Sequence, residues 1–141
     1  MRLLGIDYGT KRIGLAVTDP LGITVRPVSV LHRKSLQSDI AEIKNMIIEK
    51  GVTTIVLGLP QNMDGTPGIL SGQVREFADI LVKETNIPVE FCNEGLTSHE
   101  AGDFLVNTAG VSHRKVKAVK DKIAACIILQ TYLEKINQKQ P

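Results

Sequence analysis

Residues 3–17 read LLGIDYGTKRIGLAV, and this stretch decides the fold that we expect for the chain. Apolar residues on both sides of a polar Gly9–Arg12 segment are typical of two antiparallel strands joined by a tight turn. Asp7 then lies where the first strand ends. A carboxylate there is costly to desolvate unless it contacts a cation, a donor or water, so Asp7 is a candidate site residue. The alternative is an aspartate that only initiates the turn.

The rest of the chain alternates between strand and helix patterns. The predicted order is strand 23–31, helix 36–50, strand 52–59, helix 74–82, strand 88–92, helix 97–105 and helix 116–136. Pro27 places the first of these strands at an edge of the sheet. Three strands linked by hairpins, followed by two strands linked through helices, predict an α/β fold. We expect a mixed five-stranded sheet with helices on both faces, in a single domain spanning residues 1–141.

The composition argues against a membrane-spanning or secreted protein. Hydrophobic residues make up 43% of the chain, yet no apolar run approaches the roughly 20 residues needed to cross a bilayer. The start, MRLLGID, has an early carboxylate and no small-residue cleavage site, so we expect a cytoplasmic protein with no membrane partner. Cys92 and Cys126 lie in apolar surroundings and are predicted to be buried thiols, not a disulfide.

Three carboxylates are candidates for one site. Asp7 follows the first strand and Glu94 follows the fifth, and ligands of such sheets gather at the carboxyl ends of the parallel strands. Asp121 shares a sector of the last helix with Ala125 and Ile128, so we expect it to point toward the sheet. The alternative is a solvated Asp121 that pairs with a neighbouring lysine. Converging carboxylates repel each other, and a divalent cation with oxygen ligands, Mg²⁺ or Mn²⁺, would relieve that repulsion. The pattern is compatible with a metal-dependent nuclease.

A basic cluster surrounds the third acid. Basic residues in the first turns of a helix oppose the helix dipole and slightly destabilise the helix. Their placement therefore suggests another role, such as contact with phosphates. The alternative is a solvated helix start. The cluster consists of Arg114, Lys115, Lys117, Lys120 and Lys122.

With these residues in hand, the chain resembles the YqgF family of ribonuclease H-like proteins. The resemblance covers nearly the whole chain and rests on the Gly5–Ala16 run, on Gly58-Leu59-Pro60 with Asn62–Gly65, and on Lys120-Asp121 followed by Ile123–Ala125. Members are described as Holliday-junction resolvases and as nucleases that mature the 5′ end of pre-16S rRNA. The resemblance therefore implies a ribonuclease H-like fold and an Mg²⁺- or Mn²⁺-dependent hydrolase.

The resemblance also implies site residues. The family's catalytic and metal-binding acids fall on Asp7, Glu94 and Asp121. We further expect nucleic-acid contacts from Lys11, Arg12 and Asn62 within the shared motifs, and from Arg114, Lys115, Lys117 and Lys120 of the basic cluster.

One segment departs from the family pattern. The family usually has Asp-Glu-Arg-Leu-Thr after the fifth strand, whereas residues 93–97 read NEGLT. Asn93 replaces a carboxylate and Gly95 replaces an arginine, which bears on rate and substrate preference.

The expected partner is structured RNA, pre-16S rRNA in particular, or branched DNA, bound by a monomer or weak homodimer. Two other functions remain open. One is a non-catalytic nucleic-acid-binding module. The other is an ATP-binding domain, since the Gly5–Thr10 motif also resembles the phosphate loop of sugar kinases. Those kinases close two lobes around the nucleotide, which a chain of this length could not do alone.

Overall fold

The computed structural model describes residues 1–59, 71–93 and 113–139, which form five strands and three helices. The elements are β1 (Leu3–Tyr8), β2 (Arg12–Thr18), β3 (Val25–His32), α1 (Leu36–Lys50), β4 (Thr54–Leu59), α2 (Ser71–Thr85), β5 (Val89–Asn93) and α3 (His113–Lys139). This order confirms the prediction within those ranges. The predicted helix over 97–105 lies outside the described residues. Because β1 extends to Tyr8, Asp7 is its penultimate residue.

The strands form one mixed sheet in the order β3-β2-β1-β4-β5. Strands β1, β2 and β3 pair antiparallel, while β4 is parallel to both β1 and β5. This confirms the predicted mixed sheet, including the edge position of β3, which contains Pro27. The carboxyl ends of β1, β4 and β5 therefore lie at one end of the sheet. We call that end, formed by Tyr8, Leu59, Asn93 and the β1–β2 turn, the carboxyl edge.

Alternate residues of β1 face opposite layers, as the two-residue period of a strand requires. Leu4 and Ile6 pack in a cluster with apolar side chains of α1 and α2, such as Ile43 and Phe77. On the other face, Leu3 packs in a second cluster with Val56 of β4 and with residues of α3. The α3 residues in that cluster are Ala125, Ile128 and Leu129, all almost fully buried. Helices thus cover both faces, as predicted.

The ends of α1 are set by local chemistry. The Ser35 side chain accepts a hydrogen bond from the backbone N–H of Ser38 at 3.1 Å, which satisfies one of the free donors of the first turn. Gly51 ends the helix in the left-handed conformation, with φ of 67°, as glycine readily does. The sequence thus sets both ends of α1 locally.

The structure also bears on the predictions about the cysteines and about membrane-spanning helices. Both cysteines are free thiols, as predicted; Cys92 is buried as expected, whereas Cys126 is only half-buried. None of the helices in the described ranges has the length and apolar character that crossing a bilayer requires.

Candidate active site

Asp7 lies at the carboxyl edge, on the face of the sheet that α3 covers. Leu3 and Gly5 share that face with it, because they alternate along β1 with the residues that pack against α1 and α2. Leu3 and Gly5 are buried, whereas Asp7 is half-buried. The carboxylate therefore stands where the apolar layer under α3 ends.

Glycines flank Asp7 on both neighbouring strands. Gly14 of β2 is its direct partner in the antiparallel ladder. On the other side Ile6 pairs with Leu57, so one further step of the parallel register brings Asp7 beside Gly58. Residues side by side in a sheet project to the same face, and neither glycine has a side chain to place there. On this face, the strand positions next to Asp7 therefore contribute no side chain.

Helix α3 lies unusually close to β1 on this face. A methyl group on Gly5 would lie 2.5 Å from Cγ of Leu129 and 2.9 Å from the carbonyl oxygen of Ala125. The observed approach is possible because Gly5 has no side chain. The small Ala124 and Ala125 on the helix, both buried, also permit this approach.

The amino-terminal half of α3 runs toward the carboxyl edge. Leu133 and Glu134, in its second half, line a cavity together with Ile23 and Val25. Val25 pairs with Thr18 at the end of β2 that is remote from Asp7, so the carboxyl-terminal half of α3 lies at the opposite end of the sheet.

Position 121 is displaced from Ala125 in the direction of Asp7. Asp121 precedes Ala125 by one helical turn, about 6 Å along the axis. Asp7 follows Gly5 by two residues, about 6.6 Å along the strand. Positions 7 and 121 are therefore displaced from the contact between Gly5 and Ala125 by similar distances and toward the same edge.

The first turns of α3 extend past the sheet. The helix has 27 residues, about 40 Å at 1.5 Å per residue, whereas the six residues of β1 span about 20 Å. Its first turn contains no acidic residue. The helix begins at His113, three residues before the predicted start at 116, so its amino-terminal turns contain the backbone of the whole basic cluster.

The structure tests these site predictions only in part. Lys11 is exposed in the β1–β2 turn, and Arg12, the first residue of β2, is half-buried; both lie at the same edge as Asp7. Glu94 and Asn62 lie outside the described residues. The described part of α3 places the backbones of Asp121 and the basic cluster, and their side-chain contacts stay predictions.

The donor set suits a hard cation. Carboxylate oxygens are the ligands that Mg²⁺ and Mn²⁺ prefer, and Asp7 has two of them beside the glycines of the neighbouring strands. Among the residues whose side chains the structure describes, no group of three or more His, Cys, Asp or Glu side chains could hold a metal ion. A site at Asp7 thus depends on acids contributed by positions such as 94 and 121.

A family model settles where the chain belongs. The model for RuvX, described as Holliday junction resolvase, matches residues 1–135. The chain belongs to the RuvX family. This is the family that the sequence motifs indicated, under its other name YqgF.

Curated relatives of this RuvX family member have nearly the same length. A protein of Moorella thermoacetica is 42% identical over 138 residues, which are 98% of each chain. A protein of Clostridium novyi is 43% identical over 136 residues, which are 96% of this chain and 100% of the relative. Both bear the name "Putative pre-16S rRNA nuclease".

Solved structures support the ribonuclease H-like fold. Thermus thermophilus RuvC in complex with a Holliday junction substrate has a TM-score of 0.60 at 13% identity, with 96% of each chain covered. The Holliday junction resolvase of fowlpox virus has a TM-score of 0.56 at 15% identity, covering 96% of this chain and 99% of the viral protein. At such identities the similarity is one of fold.

Two kinds of residue at this edge were missed by the sequence analysis. Gly5 and Gly14 were treated only as parts of a motif, although a glycine inside a strand is a signal of close approach. Arg33 and Asp39 had no role assigned, and their ion pair joins a strand end to a helix start. No local pattern predicts such a pair.

Proposed function

We propose that this RuvX family member is a divalent-metal-dependent nuclease that hydrolyses phosphodiester bonds of structured RNA, in the 5′-end maturation of pre-16S rRNA. The observation that carries the proposal is the placement of Asp7. Its carboxylate stands in a glycine row at the carboxyl edge, and α3 carries Asp121 toward that edge from the close contact at Gly5.

The proposed roles follow from this placement. Asp7, Glu94 and Asp121 would hold the cation through carboxylate oxygens. Bound there, Mg²⁺ or Mn²⁺ would lower the pKa of a bound water and stabilise charge on the leaving oxygen. Lys11 and Arg12, together with Arg114, Lys115, Lys117 and Lys120, would hold the strand by its phosphates, which positions the substrate without reading its sequence. Asn62 completes the proposed contacts.

RNA is favoured over DNA because of the relatives. The proteins that are 42% and 43% identical over almost their whole length carry the rRNA nuclease name, whereas the resolvase structures share only 13% and 15%. This chain covers 98% and 100% of those relatives, so the relatives themselves have no room for a second lobe, which argues against the sugar-kinase-like alternative. A role on pre-ribosomal RNA would agree with the cytoplasmic location expected from the sequence.

A cleavage panel tests the proposal. The full chain is incubated with a 5′-extended 16S precursor RNA, single-stranded RNA or a four-way DNA junction, in Mg²⁺, Mn²⁺ or chelator. We expect metal-dependent cleavage of the precursor. Asp7→Asn and Asp121→Asn should each lower the rate by at least about 100-fold, the effect typical of losing one electrostatic stabiliser. Both variants should stay folded in thermal melts, since removing one of several clustered carboxylates relieves repulsion.

Asp19→Asn is the matched control. Asp19 lies at the end of the sheet opposite Asp7, and its carboxylate accepts the N–H of Ile23 at 2.7 Å, a role that asparagine can keep. This variant should cleave at the wild-type rate. Normal cutting by the Asp7 and Asp121 variants would refute the three-acid site, and their unfolding would make those acids structural. Cleavage of the junction alone would establish a resolvase, and binding without cleavage a non-catalytic module.

A further inference from the structure

Arg33 contacts the segment that directly follows Asp7 in several ways. Its Nη1 donates to the carbonyl oxygen of Gly9 at 3.2 Å, and its backbone N–H donates to the carbonyl oxygen of Lys11 at 2.9 Å. Its guanidinium lies 4.8 Å from the centroid of the Tyr8 ring, a distance typical of cation–π contact. Arg33 therefore holds both ends of the β1–β2 turn and the aromatic residue next to the catalytic-site candidate.

Asp39 fixes the guanidinium from the other side. Its Oδ2 accepts from Nε of Arg33 at 2.9 Å, and its Oδ1 accepts from the backbone N–H of Lys34 at 3.3 Å. The Asp39 side chain is 3% exposed and that of Arg33 is 16% exposed. Asp39 lies in the first turn of α1, whose start Ser35 caps. The turn is thus tied to a helix that is itself anchored in the core.

The ion pair between Arg33 and Asp39 is largely buried, unlike a solvent-exposed surface ion pair. Removal of one partner would leave a desolvated charge, which is strongly unfavourable. Burial alone would lower the pKa of Arg33, but hydrogen bonds to Asp39 and Tyr8 outweigh it, so the pKa is raised and the cation persists at any physiological pH. Its planar fork joins Asp39 to Gly9 in a way that the single ammonium of lysine could not reproduce.

We propose that Arg33 and Asp39 are positioning residues for the nuclease site. They hold the β1–β2 turn in one conformation and thereby place Lys11 beside Asp7 for contact with a substrate phosphate. The inference rests on the proposed function and deepens it, since it assigns the orientation of a phosphate contact to a pair that does not itself touch the substrate.

Arg2 provides a matched control. Its Nε donates to the carbonyl oxygen of Thr18 and its Nη1 to that of Lys50, each at 2.9 Å, so it too bridges two segments through backbone carbonyls. These contacts lie at the end of the sheet opposite Asp7. Arg2→Gln therefore removes a comparable structural bridge without touching the β1–β2 turn.

The first measurement compares Arg33→Gln with Arg2→Gln at a temperature well below both melting temperatures. Arg33→Gln should lower kcat/KM for the cleaved substrate by about 10- to 100-fold, as expected for slight misplacement of substrate-positioning groups. Arg2→Gln should leave it unchanged. Should Arg33→Gln fail to fold, Arg33→Lys, which keeps the cation and loses the fork, and Asp39→Asn take its place. Equal activity of folded Arg33 and Arg2 variants would overturn the inference.

The second measurement detects coupling that a merely structural role would not produce. Lys11→Gln should reduce the slope of log binding constant against log salt concentration by about one unit in the wild type and in Arg2→Gln. In the Arg33 variants the same substitution should have little effect, because Lys11 is no longer placed on the phosphate. A full Lys11 effect in the Arg33 background, or none in the wild type, would overturn the inference. Since binding is measured without cleavage, the result stands even if the wild type proves inactive and the proposed nuclease function fails.

Discussion

Gly5→Ala tests whether the contact between β1 and α3 sets the geometry of the site. The new methyl group would lie 2.5 Å from Cγ and 3.0 Å from Cδ1 of Leu129, and 2.9 Å from the carbonyl oxygen of Ala125. Carbon atoms prefer separations of about 3.5–4.0 Å, so the overlap with Leu129 is about 1 Å. Leu129 is fully buried and the Ala125 oxygen belongs to the helix backbone. The helix must therefore move outward.

The cost follows from that overlap. Extra methyl groups in a packed core destabilise by about 1–3 kcal/mol. For a domain of this size each kcal/mol lowers the melting temperature by about 3–4 °C, so we expect a fall of about 3–12 °C in calorimetry. An outward shift of α3 also moves position 121 away from Asp7. A displacement near 1 Å can cost about 100-fold in rate, so cleavage should fall more than the stability change explains.

Gly72→Ala is the control for this substitution. Gly72 lies in α2, and a methyl group there would have no atom within 4 Å. Alanine at this helical position should be neutral or stabilise by at most about 1 kcal/mol. The double variant Gly5→Ala with Leu129→Ala should lose less stability than the sum of the losses of the two single variants, because removal of the Leu129 side chain removes the larger overlap. A Gly5→Ala melting temperature equal to or above that of the wild type would refute the close-packing argument.

Two further predictions concern charge and the thiol. Replacing Arg114, Lys115 and Lys117 with Gln should weaken nucleic-acid binding and lower its salt slope by about one unit per lost phosphate contact, measured by fluorescence anisotropy; an unchanged slope would contradict their proposed role. Burial raises the pKa of the Cys126 thiol from 9.0 to about 11, so its native alkylation near pH 9 should be slow, as mass spectrometry can check. The free energy of unfolding should decrease as the pH rises from 9.0 to about 11, because the thiol of the unfolded chain ionises at a lower pH than the buried thiol. Alkylation of the folded protein at the rate of a free thiol would contradict the burial.

The glycine row gives the GIDYG motif a physical meaning. Gly5 permits the close approach of α3, and Gly14 and Gly58 are the strand neighbours of Asp7. The motif therefore combines a glycine that permits close helix packing with a candidate site carboxylate two residues later on the same face of the sheet.

Local patterns were sufficient to predict the five strands and three helices of the described ranges, and they marked Asp7 and Asp121 as candidate site residues. Alternation and helical spacing are properties of neighbouring residues, so the hairpin around Gly9 and the apolar sector of α3 could be read directly. Asp7 could be recognised as a candidate because a carboxylate interrupts an apolar strand near its end. The small net charge of +2 and the isolated motifs excluded little by themselves.

Contacts between distant segments were decided only by the tertiary structure. Whether Gly14 and Gly58 flank Asp7 depends on the register of three strands, and the burial of Leu129 on Gly5 depends on how α3 crosses them. Arg33 and Asp39 are only six residues apart, but Arg33 reaches Gly9 and Lys11 because the end of β3 pairs with the start of β2. Register and helix position result from burying all apolar faces at once, a cooperative requirement that no short stretch of residues contains.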